Sequence, residues 1–221
     1  MTMRIKEDRT YGTYKTYKTY ETYKTYKKIT TMRKLLLLLL TAFSLNSSAQ
    51  SADKLYEEGK QLYDKENYTA AFPKLKAAAE KGHKKAQYRL GRCYDKGRGT
   101  TENDKLAFEW YEKSAKQGYA KAQYQVGDCY KDGDGVAKDR KKAVEWFKKA
   151  AAQENAEAEF ALGKAYLKGK GIAADKAQAK KWITRAVNNE KGGKEILEEL
   201  RKEAADGDED AKAILTLIGK K

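Results

Sequence analysis

Ala86-Gln87-Tyr88-Arg89-Leu90-Gly91-Arg92-Cys93-Tyr94-Asp95-Lys96-Gly97-Arg98-Gly99 is followed by a close copy beginning at Ala122 and by another at Ala158. The interval is 36 residues both times. A fixed period of this size marks a solenoid, in which each repeat buries its apolar face only against its neighbours. Within one unit, Ala86, Leu90 and Tyr94 recur every fourth residue and form one helical stripe. Gly91 lies beside that stripe, where it lets another helix approach closely. Gly97-Arg98-Gly99 ends the helix, since its glycines accept the positive φ of a tight turn. A second helix from about Asn103 places Ala107, Trp110, Tyr111, Ser114 and Ala115 on one face, to be buried together. Asn103, Asp139 and Asp175 share one phase and suit N-caps of the second helices. The fold expected is all-α: a right-handed α/α superhelical solenoid of helix–turn–helix repeats.

The units run over 83–118, 119–154 and 155–190, and weaker copies flank them. Residues 50–82 read as a shorter helix pair without the Gly-x-Gly insertion, with Pro73 expected to kink its second helix. Residues 191–221 read as two degenerate capping helices, around Ile196, Leu197, Leu200 and Ala204, then Ala211, Leu215 and Ile218. Asp206–Asp210 is expected to cap the last of them.

Upstream, Met32-Arg33-Lys34, the leucines 35–40 and Asn46-Ser47-Ser48-Ala49-Gln50 have the form of a signal peptide over 32–49, cut between Ala49 and Gln50. Its apolar run is too short for a transmembrane span. Residues 1–31 hold a Tyr-Lys-Thr triplet repeat with no helical period and read as a disordered low-complexity extension or a mis-called start. Residues 1–49 carry 10 Lys/Arg and 3 Asp/Glu, which leaves 37 basic and 29 acidic side chains on residues 50–221, a net of +8. That modest excess, interspersed in sign, fits solvated helix faces, and no nucleic-acid motif accompanies it.

The search for chemistry yields no catalytic, cofactor or metal residue. Cys93 and Cys129 occupy one phase of adjacent repeats. Equivalent points on stacked helices lie about 8–10 Å apart, beyond the roughly 7 Å a disulfide spans, so both are expected to pack as small apolar residues. His83, the sole histidine, falls at an inter-repeat turn. Asp132-Gly133-Asp134-Gly135 begins like a calcium loop, but Val136 and Ala137 follow, and Arg98 and Lys170 stand in the matching turns. It reads as a turn.

The repeat resembles the Sel-1-like repeat family, relatives of the tetratricopeptide repeats. The second unit carries the motif nearly throughout: Ala122, Val126, Gly127, Tyr130, Gly133, Gly135, Val136, Asp139, Lys142, Ala143, Trp146, Phe147, Lys149, Ala150 and Ala151. It departs at the closing glycine, which is Glu154. The resemblance implies a binding module for a protein partner, an envelope component among the candidates, with the first helix of each pair lining the concave face. First-helix positions outside the packing stripe would then contact the partner: Gln87, Arg89, Arg92, Gln123, Gln125, Asp128, Glu159 and Lys164. Some exported members are cysteine-rich, with a disulfide stapling each helix pair, and carry a β-lactamase label. This chain lacks the second cysteine of each repeat, which weighs against that enzyme reading; a cell-wall-associated glycan binder or weak β-lactamase-like hydrolase is the alternative that the resemblance leaves.

Overall fold

Helix boundaries follow local chemistry. The structure, a computed structural model, describes residues 51–220 together with Lys28, Met32 and Lys34. The signal peptide, its cleavage point and the triplet tract otherwise lie outside the described residues. Helix α1 covers 51–64. It is followed by α2 (Tyr68–Glu80), α3 (Lys84–Asp95), α4 (Asp104–Lys116), α5 (Ala120–Asp132), α6 (Arg140–Ala151), α7 (Ala156–Lys168), α8 (Lys176–Val187), α9 (Gly193–Ala205) and α10 (Glu209–Ile218). No strand occurs among the described residues, and no helix among them is long and apolar enough to cross a membrane.

The predicted caps form. Asn103 accepts from the Leu106 N–H at 2.9 Å, Asp139 from Lys141 and Lys142, and Asp175 from Gln178 at 2.9 Å. Each cap also donates its own backbone N–H to a first-helix tyrosine carbonyl: Asn103 to Tyr94, Asp139 to Tyr130 and Asp175 to Tyr166, at 2.8–2.9 Å. The cap therefore starts the second helix and ties it back to the first. Asp208 caps α10 in the same way, through Ala211 N–H at 2.7 Å. His83 is more than a turn residue. Its Nδ1 caps α3 by accepting from Ala86 N–H at 3.0 Å, Nε2 lies 3.1 Å from Asp53, and its ring stacks on Tyr56.

Within each pair, a glycine sets the distance between helices. A Cβ at Gly91 would sit 2.6 Å from the Tyr111 ring, one at Gly127 2.6 Å from Phe147, and one at Gly163 2.5 Å from Ile183. Gly59 plays this part against Leu75 in α1–α2. The Gly-x-Gly turn has a second role that its local sequence does not display. At Gly135, φ is +66° and a Cβ would stand 2.2 Å from the carbonyl oxygen of Asp104, the first residue of α4 in the preceding pair. Gly99 meets Tyr68 O and Gly171 meets Arg140 O in the same manner. The turn glycine is thus an inter-repeat docking point.

Four apolar clusters run down the chain, most of them drawing residues from adjacent pairs. Tyr111, Phe147 and Ile183 are buried at equivalent positions, as are Leu90, Val126 and Leu162. The expectation that Trp110, Trp146 and Trp182 are buried with them is corrected. Each indole is half-exposed and covered by a cation three residues on: Lys113, Lys149 and Arg185, at 3.9, 4.0 and 5.5 Å from the ring centres. One residue is 100° of helix, so Tyr111 rather than Trp110 points at Gly91. Helix α2 continues through Pro73, which faces solvent.

Candidate partner-binding face

The first helices line a trough made of two recesses. One, of about 480 Å³, lies between α3 and α5 with Ala107 and Tyr111 of α4 at its floor. The other, of about 470 Å³, lies between α5, α7 and α9 with Ala143, Val144 and Phe147 of α6 beneath. They share Tyr124, Asp128 and Glu157.

The eight residues expected to meet a partner divide into two groups. Gln87, Gln123 and Glu159 are buried, at 6, 6 and 0% exposure, and the expectation that they lie outside the packing stripe is corrected. They hold the repeats together. Gln87 Nε2 donates to the Ala79 carbonyl of α2 at 3.1 Å, and its Oε1 accepts from Gln117 Nε2 at 2.7 Å. Gln117 also donates to Gly82 O at 3.0 Å. One repeat later Gln123 donates to Ala115 O and accepts from Gln153, at 3.3 and 2.7 Å. In the third repeat Glu159 accepts from Asn189 at 3.2 Å and faces Arg185 Nε at 2.6 Å. The first two clasps span two helix pairs directly; in the third, Asn189 supplies the link by also donating to the Glu154 carbonyl of the preceding pair at 3.0 Å. The sequence carried the signal: Gln87, Gln123 and Glu159 each stand four residues before the close-approach glycine, hence on the packed face.

The other five reach the surface. Arg92, Gln125 and Asp128 are half-exposed and line the α3–α5 recess, and exposed Lys164 lines the second with its ammonium 5.3 Å from the Phe160 ring. Asp128 is paired with Lys131. Arg89 donates to Asp64 at 3.1 Å and lies over the Tyr63 ring at 5.0 Å.

The sequence reading missed the aromatic row. Tyr88, Tyr124 and Phe160 occupy one phase, 36 residues apart, and each reaches the trough or its rim. Burial pushes the Tyr124 hydroxyl up to about 12, with Asp128 adding to the effect. Their signal was the residue two after each repeat's alanine, one turn before Arg92, Asp128 and Lys164.

Both thiols are free and buried. Burial raises Cys93 to about 11 and Cys129 to about 12. They stay protonated at neutral pH, and a thiol rather than a thiolate is a weak nucleophile. The Asp132–Gly135 segment is a helix end, with Gly133 left-handed as the C-cap of α5.

The Sel1 repeat family matches residues 84–119, 120–155 and 156–190. A solved Sel1 repeat protein from Oxalobacter formigenes is similar at 30% identity and a TM-score of 0.59, over 72% of this chain and 74% of that one. A protective antigen of uropathogenic Escherichia coli displaying an SLR fold is similar at 28% identity and a TM-score of 0.62, over 79% of this chain. The match spans 43% of that antigen's length. No curated protein matches the sequence. With three family matches in register, a solved relative covered over most of its length, and paired helices repeating glycine contacts every 36 residues, the chain belongs to the Sel1-repeat family.

Proposed function

We propose that this chain is a non-enzymatic scaffold that holds an extended segment of a protein partner along the trough of its first helices, through Arg89, Arg92, Gln125, Asp128 and Lys164. One observation carries the reading. Three aromatic rings recur at one phase along the trough, flanked by charged residues on the same helices, so a rigid surface repeats an apolar contact beside a polar one. An extended peptide laid along the trough would meet one such aromatic and polar pair at each repeat it crosses. The mature chain is exported and works in the periplasm or outside the cell, a reading supported by the residue pattern of 32–49.

A photo-crosslinking residue placed at Gln125, compared with one at exposed Glu145 on the second-helix side, tests the face in producing cells. Discrete adducts from Gln125 alone are expected. Equal labelling from both positions, or none from Gln125, would overturn the trough as the contact surface. Amino-terminal sequencing of the envelope fraction should find a chain starting at Gln50. A start at Met1 or Met32 in a cytoplasmic fraction would remove the export reading.

A further inference from the structure

Three guanidinium groups converge on one tyrosine beside the α3–α5 recess, which Arg92 also lines. The Cζ atoms of Arg89, Arg92 and Arg98 lie 5.0, 6.0 and 5.5 Å from the centre of the Tyr63 ring. Tyr63 is 5% exposed, and its hydroxyl accepts from Arg98 Nη1 at 2.6 Å. One carboxylate serves this group: Asp64 accepts from Arg89 and also lies 3.7 Å from Lys60. Among the described residues neither Arg92 nor Arg98 has a carboxylate within ion-pairing distance. Like charges gathered this way repel unless an anion joins them. The cations are held in place by the face of a buried ring and by two hydrogen bonds, Arg98 to Tyr63 and Arg89 to Asp64.

The rest of the trough says which anion. Past Arg92, the α3–α5 recess carries an acidic excess, with Asp95, Asp104, Asp128, Asp134 and Glu157 against Lys96 and Lys121. At the phase of Arg92, the second repeat has Asp128 and the third has Lys164. A polyanion such as nucleic acid or an anionic lipid surface would meet repulsion one repeat on. A peptide with an isolated acid would not.

We infer that the Arg89–Arg92–Arg98 cluster around Tyr63 receives an acidic side chain of the partner's extended segment. The inference rests on the trough reading above. Guanidinium groups bind carboxylates through paired, charge-assisted hydrogen bonds, which gives the site both strength and orientation.

The test is selection of short random peptides displayed on beads against the full chain, beside Arg92→Gln and Tyr124→Ala variants checked for folding by circular dichroism. The expected outcome is enrichment of peptides that carry an acidic residue. The enriched peptide should bind Arg92→Gln roughly tenfold more weakly. Binding of that peptide to the unaltered chain should also weaken as salt rises, a readout independent of any variant's folding. Peptides enriched without acidic preference, lost with Tyr124→Ala and kept by Arg92→Gln, would overturn the carboxylate assignment and leave the trough standing. No enrichment would overturn both. Competition by inorganic phosphate in the absence of any acidic-peptide preference would also overturn it, assigning the cluster to a free anion.

Discussion

The clasp between repeats is built twice from amides and once from a carboxylate. Gln87 and Gln123 each donate one hydrogen bond to the preceding pair and accept one from their own second helix. Glu159 keeps the acceptor half through Asn189 but has no N–H to donate. Instead Arg185 Nε approaches Glu159 Oε1 to 2.6 Å, at an angle that leaves this fully buried oxygen without a hydrogen-bond donor. The lysines at the same phase, Lys113 and Lys149, cover their tryptophans with no acid to bind. One backbone geometry thus accepts a neutral seam and an ionic one. A buried ion pair offsets the cost of taking its charges out of water only with full hydrogen bonding. The third seam is accordingly the one more dependent on its partners.

The largest effect should come from breaking the steric seam that all three repeats share. Gly135→Val places a β-branched side chain at φ +66° with its Cβ 2.2 Å from a backbone oxygen. The expected loss is about 3 kcal/mol or more, from overpacking and backbone strain together. It should appear as a lowered urea midpoint and as earlier hydrogen exchange at the start of α4. Unchanged exchange there would show that the turn docks elsewhere.

The two kinds of clasp separate next. Gln123→Ala leaves Gln153 and Ala115 O without their partner and should cost about 2 kcal/mol. Glu159→Ala should cost somewhat more, about 2–3 kcal/mol, less than a fully buried pair because Arg185 is 43% exposed and returns to water. Only the second loss should shrink as salt rises. Equal losses with equal salt response would mean that the ion pair contributes nothing beyond its shape.

A smaller gain is expected at the closing turn. Gly82 and Gly118 have positive φ, and their equivalent Glu154 holds φ 59° with a side chain present. Glu154→Gly should stabilise the chain by about 1 kcal/mol, seen as a raised thermal midpoint.

The smallest effect is a pH dependence of the first clasp's neighbour. Burial lowers the His83 pKa below 6.5, with Lys85 acting the same way and Asp53 and Glu57 opposing. A ring neutral in the folded state keeps Nδ1 as an acceptor for Ala86 N–H. Its stabilisation is complete above the unfolded value near 6.5 and is lost as pH falls through the folded value. His83→Asn, the residue used at Asn155 in the third repeat, should retain the cap and flatten the stability profile between pH 7 and pH 5. A profile identical in both proteins would assign the pH dependence to other groups.

Most of the helical architecture was legible because each signal is local and appears three times. Asn103, Asp139 and Asp175 cap through the next few residues, so their role needs no distant partner. The partner-facing residues were only half legible. Polarity assigned Gln87, Gln123 and Glu159 to solvent, whereas their placement four residues before a glycine assigns them to the packed face. Trp110, Trp146 and Trp182 were misplaced for the complementary reason. Apolar character argued burial, while angular phase put the adjacent Tyr111, Phe147 and Ile183 against the glycines.

By itself the sequence determined the period, the helix starts and stops, and the glycine at each intra-pair contact, because these depend on residues close along the chain. Tertiary structure alone decided three things: the docking of Gly135 on Asp104, the satisfaction of a buried glutamine by the carbonyl of another pair, and the gathering of three arginines from α3 and its turn around a tyrosine of α1. Each joins groups on different helix pairs. Their distance is set by how the pairs stack, a quantity that the pattern within a single repeat does not contain.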